Sequence, residues 1–124
     1  MNAMEVGQKL ADLCKAGEFE QAMNELYAEN IVSIEGQETD GMPARMEGIE
    51  AVRGKSQWWY DNNEIHDTQT VGPFCGWRDD QFIVKFDMDV TPQGGERMMM
   101  SECALYTVAD GKVVQEEFLY LMGD

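Results

Sequence analysis

Phe82, Val84, Phe86, Met88 and Val90 alternate strictly with Ile83, Lys85, Asp87 and Asp89. That period of two permits only a strand with one apolar and one mixed face. The row continues into Thr91-Pro92-Gln93-Gly94-Gly95, which suits a three-residue hairpin loop: proline fixes the first corner and Gly94 takes the left-handed position. Two more strands follow, Glu96 to Val108 and Val113 to Leu121, joined at Asp110-Gly111. A further strand, Glu64 to Val71, leads into Gly72-Pro73 upstream. The second half of the chain is therefore an antiparallel meander.

The first half is helical. Val6, Leu10, Leu13 and Cys14 recur at helical spacing up to Gly17, and Phe19, Ala22, Met23, Leu26 and Tyr27 repeat the pattern. Ile31 to Glu35 reads as a short strand, and Gly36 to Met46, with Gly41 and Pro43, reads as a loop. Ile49, Val52, Ser56 and Trp59 mark one face of a third helix that ends near Asp61, Asn62 and Asn63. Helices precede strands rather than alternating with them, so the class is α+β: three N-terminal helices packed on a strongly curved antiparallel sheet. At 124 residues, without repeats or linkers, the chain is expected to form one domain over 1–124.

Charge narrows the partners. Twenty-four acids against nine Lys and Arg give a net charge of −15, spread along the chain, so nucleic acid and anionic membranes are excluded as partners. Cys14, Cys75 and Cys103 lie far apart, the N-terminus lacks a signal-peptide pattern, and no apolar run nears the roughly 20 residues of a membrane span. A cytoplasmic setting is the expectation. Scattered thiols and a solitary His66 specify no metal, and no phosphate-binding loop or nucleophile motif specifies a cofactor.

Register turns the hairpins into a site. With Asp110-Gly111 as a two-residue turn, Tyr106 faces Gln115, Ala104 faces Glu117 and Glu102 faces Leu119. With Thr91 opposite Gly95, Val84 faces Glu102 and Phe86 faces Met100. Glu102 then lies on an apolar face with Met100, Ala104 and Tyr106, lined by Phe82, Val84, Phe86, Met100, Leu119 and, from the third helix, Trp59. The opposite face carries Lys85, Asp87 and Asp89 beside Leu105, Phe118 and Tyr120, and its apolar members suit a homodimer contact. A one-residue slip of the first hairpin exchanges the faces and leaves Glu102 as a surface acid.

The stretch from Glu102 through Tyr106-Thr107-Val108, the Asp110 to Val113 turn and the Gln115 to Tyr120 ending, with Gly48 to Gly54 and Glu64-Ile65-His66 upstream, resembles the SnoaL-like branch of the nuclear transport factor 2-like superfamily. The resemblance covers nearly the whole chain. It implies a cone-shaped, cystatin-like α+β fold with a pocket between the concave sheet and the helices, and commonly a dimer through the convex sheet face. Members include polyketide cyclases, ketosteroid isomerase, scytalone dehydratase and proteins without known chemistry, so fold alone does not carry function.

Catalysis in such a pocket needs a base that works near neutral pH, and an apolar surround raises a glutamate toward that range. Glu102 is the first candidate base, and its bland alternative is a structural acid bonded to a neighbour. Tyr106 is the candidate oxyanion donor, or else an amphipathic core tyrosine. His66 has a proton-shuttling side chain, with a rim position as its alternative. Glu117 is a second acid on the Glu102 face, or an edge residue. Two functions remain: cofactor-free isomerisation, cyclisation or dehydration of a hydrophobic carbonyl compound, and a non-catalytic ligand-binding or dimerisation module.

Overall fold

The computed structural model describes residues 1–39 and 41–120. Helix α1 (Ala3–Lys15) opens with a reciprocal cap, in which Asn2 Oδ1 accepts from the Glu5 amide at 2.9 Å and Glu5 returns a carboxylate to the Asn2 amide at 3.0 Å. Its buried residues Ala3, Val6, Gly7, Leu10, Ala11 and Cys14 form one stripe, and Gly17, at φ 78°, turns the chain out of it. Helix α2 (Phe19–Leu26) buries Ala22 and Leu26. Strand β1 (Tyr27–Ile34) follows without a loop, and β2 (Arg45–Glu47) is a short edge strand that overlaps the end of the segment predicted to be loop, Gly36 to Met46. Helix α3 (Ile49–Asn62) then leads directly into β3 (Asn63–Cys75), β4 (Gln81–Pro92), β5 (Met98–Ala109) and β6 (Lys112–Leu119). Leu121, the predicted end of the last strand, lies outside the described residues.

The α+β class with three helices on one sheet is as the sequence implies, with one amendment to the sheet. Its order is β2-β1-β6-β5-β4-β3. The β1–β6 ladder is parallel and the others are antiparallel, and β2 and α3 lie between β1 and the meander whose last strand pairs with it. Register shifts interrupt the β1–β6, β3–β4 and β5–β6 ladders, and each bulge bends its strand and tightens its twist. One face of the sheet packs on the helices through Val6, Leu10, Leu26, Ile31, Val52, Phe82, Val84, Val108 and Val113. Gly7 permits the close approach of α1 to β4: a Cβ there would stand 2.8 Å from the Phe82 ring.

The register differs from expectation in two hairpins, and only the second difference changes what faces inward. In the β4–β5 hairpin Val84 pairs with Ala104, Phe86 with Glu102 and Met88 with Met100. The predicted pairing is displaced by two residues, which preserves the faces. The cause is the turn, where the Gly95 amide donates to the Pro92 carbonyl at 2.9 Å with Gly94 at φ 76°, so Pro92 precedes the corner instead of forming it. In the β5–β6 hairpin Ala109 does face Lys112 and Val108 faces Val113, but Thr107 then faces Gln115. Val114 is the extra residue of a bulge, and beyond it every β6 side chain changes face.

Candidate functional site

A cavity of about 1070 Å³ opens between the sheet and the helices, at the upper end of the roughly 300–1,000 Å³ usual for small-molecule sites. Strand β5 contributes Met98, Met100, Glu102 and Tyr106 to its wall, β4 contributes Phe86 and Met88, and α3 contributes Lys55, Trp58, Trp59 and Tyr60. From the bulged β6 come Glu116 and Phe118, followed by Tyr120. Ala104 separates Glu102 from Tyr106 on the same face of β5, so the two stand about 13 Å apart along the strand with a small side chain between them.

The site residues predicted from sequence divide accordingly. Glu102, Tyr106, Trp59, Phe86 and Met100 line the cavity. Phe82 and Val84 are fully buried beneath the helices instead, because α1 covers that end of β4. Glu117 pairs with Leu105 on the outer face, and Leu119 shares that face through Cys103; the β6 bulge puts them there. The same bulge brings Phe118 and Tyr120 inside and removes them from the expected dimer face, leaving Leu105. His66 occupies a β3 bulge between Ile65 and Asp67, where it is exposed and bonds Thr91 Oγ1 at 2.8 Å. It does not line the cavity.

Among the described residues the most buried acid is Glu116, 3 % exposed. Its carboxylate accepts from the Tyr27 hydroxyl and, at 2.7 Å, from Ser33 Oγ. Lys55 Nζ donates to the same Ser33 oxygen at 2.7 Å, pairs with Glu35 at 2.7 Å and lies 4.7 Å from the centre of the Phe118 ring. Burial raises the Glu116 pKa while the Tyr27 hydrogen bond, Lys55 and Ser33 draw it back. Burial also raises both tyrosines, and the Glu116 charge adds to it. Tyr27 and Tyr106 are therefore neutral donors at any physiological pH. Tyr106 stacks on Phe82, with ring centres 4.9 Å apart.

Sequence reasoning missed Glu116, Tyr27, Ser33, Glu35 and Lys55. Adjacent glutamates at 116 and 117 guarantee that one faces in, but only the bulge chooses between them. Tyr27 ends the apolar stripe of α2 and so resembles packing.

Glu102 differs from Glu116. Among the described residues no side chain donates a hydrogen bond to it, and burial, followed by the charge of Glu35, pushes its pKa up to about 7, with Lys55 opposing and Glu116 adding. A carboxyl poised there exchanges a proton readily at neutral pH. Among the described residues no group of three His, Cys, Asp or Glu is placed to hold a metal ion.

Three helices packed on a six-stranded mixed sheet, with a cavity between them, define an α+β fold of the cystatin-like class. A family model described as the SnoaL-like domain matches residues 1–120, and the chain belongs to that family. A Mesorhizobium loti structure, described provisionally as a SnoaL-like polyketide cyclase, is 40% identical, with 97% of this chain and 100% of that chain covered and a TM-score of 0.88. A Bacillus subtilis structure described provisionally as an isomerase is 18% identical over 96% of this chain and 86% of that one, with a TM-score of 0.73. A Xanthomonas campestris protein of unknown function with a cystatin-like fold is 10% identical over 98% and 92%, with a TM-score of 0.77. The last two speak for the fold alone. A comparison with curated proteins finds no match.

Proposed function

We propose that the chain is a cofactor-free acid–base enzyme, an isomerase, cyclase or dehydratase acting on a hydrophobic carbonyl compound, with Glu102 as base and Tyr106 as oxyanion donor. The observation that carries this reading is the undonated Glu102 carboxyl in the cavity wall, with its pKa raised to about 7. In the step, the Glu102 carboxylate takes a proton from the carbon next to the carbonyl. The C–H electron pair becomes the new C=C bond, the carbonyl π pair moves onto oxygen, and Tyr106 O–H stabilises the resulting enolate. This requires the Glu102 and Tyr106 side chains to lean toward each other over Ala104, because the reacting carbon and the oxygen are neighbours on one carbon. Tyr27 gives its proton to Glu116 and is also hydrogen-bonded to Tyr106, so the substrate oxygen must draw the Tyr106 hydroxyl away from Tyr27. Returning the proton to another carbon isomerises the substrate, expelling a hydroxyl as water dehydrates it, and attack on a second carbonyl closes a ring. His66 and Glu117 have no part in this scheme.

The test uses 2-tetralone in deuterium oxide. Wild-type protein should accelerate exchange of its α-hydrogens, read by proton NMR, and Glu102→Gln should lower that rate by about a hundredfold or more, the usual contribution of a positioned general base. Equal rates for the two proteins, or no acceleration, overturn the scheme; binding without exchange leaves a non-catalytic ligand-binding domain.

The rest of the reading follows from the same features. We take residues 1–124 as one domain that works in a reducing, cytoplasmic setting, supported by three free cysteines. It pairs as a homodimer through the outer sheet face around Leu105. None of its described helices is long and apolar enough to cross a membrane.

A further inference from the structure

Among the described residues, the charged side chains that reach the cavity are Glu35, Glu102, Glu116 and Lys55. Three can be negative and one is positive, and the positive one is already engaged. Lys55 meets Glu35 and Ser33 at 2.7 Å each and covers the Phe118 ring, while Glu116 is held by Tyr27 and Ser33. An anionic ligand therefore finds carboxylates and no free cation. Glu102 alone keeps an open valence, opposite Phe86 in the β4–β5 ladder, in a cavity walled by Trp58, Trp59 and Tyr60. A carboxylate beside aromatic surfaces attracts an ammonium group by both charge and ring quadrupole.

We infer that the cavity takes a hydrophobic protonated amine, its ammonium group paired with Glu102 and its apolar frame lying against the aromatic wall. Like the proposed function, this rests on Glu102 facing the cavity, but it does not require Glu102 to act as a base. The groups around Glu102 set its pH response: Glu35 just after β1, Glu116 on β6 and Tyr120 just beyond it, Lys55 on α3 and Tyr106 on its own strand. Lowering the pH protonates Glu102 and removes the amine's partner.

Three probes of one shape separate charge from fit: 1-naphthylmethylamine, 1-naphthylmethanol and 1-naphthoate, titrated calorimetrically at about 0.15 M salt, where surface charge is screened beyond about 8 Å. At about pH 8 the amine should bind wild type about tenfold tighter than the alcohol, and naphthoate weaker than both, the factor a desolvated cation–π contact and ion pair can supply. Glu102→Gln should close the amine–alcohol gap to about twofold, and in wild type the gap should shrink on lowering the pH to about 5. The inference is overturned by naphthoate binding as tightly as the amine, by an amine preference intact in Glu102→Gln, by a preference independent of pH, or by no binding of any probe. The wild-type pH series decides the matter should the variant fold poorly. Tetralone exchange without amine selectivity removes this inference alone, and amine selectivity without exchange removes the catalytic reading alone.

Discussion

Glu102 and Glu116 are the same residue type on adjacent strands, and their partners set them apart. Burial raises both and Lys55 opposes it in both, but Glu116 is drawn back by two hydrogen-bond donors, whereas Glu102 has none among the described side chains and is raised further by Glu35. Between pH 4.5, the ordinary value, and about 7, folded protein keeps a proton on Glu102 that unfolded chain has released, so this residue's contribution to stability falls as pH rises through that window. Glu102→Gln removes the penalty. Guanidinium unfolding should find the variant as stable as wild type near pH 4 and more stable near pH 8, by up to about 3 kcal/mol at roughly 1.4 kcal/mol per pKa unit. A difference that does not change with pH contradicts this account. Tyr27→Phe acts in the opposite direction: it strips one donor from a buried carboxylate and should cost roughly 2 kcal/mol in the same measurement. A neutral Tyr27→Phe would mean that the Tyr27 bond to Glu116 contributes nothing to the fold.

At the scale of elements, α1 and β4 meet at Gly7 and Phe82. Alanine at position 7 improves helix propensity by about 1 kcal/mol, but its Cβ would lie 2.8 Å from the Phe82 ring and 3.1 Å from Pro73 Cβ. Phe82 is fully buried and cannot retreat, and overpacking of this kind costs about 1–3 kcal/mol. Crowding outweighs propensity, so Gly7→Ala should lower the melting temperature; a higher one would show that α1 can lift from the sheet. This contact is invisible in the sequence, where Gly7 merely interrupts the stripe of Val6 and Leu10. What was legible is periodic: the stripes of α1, α2 and α3, the alternation from Phe82 to Val90, the Asp110-Gly111 turn. Bulges at His66 and Val114 leave no periodic trace, since each inserts a single residue that local propensity does not distinguish. The inward side of β5 was therefore readable, Glu102 and Tyr106 included, while that of β6 was inverted.

The whole molecule hides one sheet face under helices and leaves the other open. On that outer face Phe74, Ile83 and Leu105 form one row across three strands, and Val71, Lys85, Cys103 and Leu119 form the next. Phe74 and Leu119 are each about half exposed, an apolar patch interrupted by Lys85 and bounded by Glu117 beside Leu105, which supports the proposed homodimer. Charge opposes it: two copies at −15 each repel, and salt screens that repulsion over about 10 Å at 0.1 M and about 3 Å at 1 M. A dimer held by this face should therefore strengthen with salt, unlike a contact built on ion pairs. Sedimentation equilibrium in low and high sodium chloride should show a rising dimer fraction, and Leu105→Arg should return the protein to monomer while leaving its far-ultraviolet circular dichroism unchanged. Phe118→Ala, inside the cavity, should leave the dimer intact and weaken binding of 1-naphthylmethylamine. A dimer that dissolves with salt, or one that survives Leu105→Arg, places the contact elsewhere on the surface.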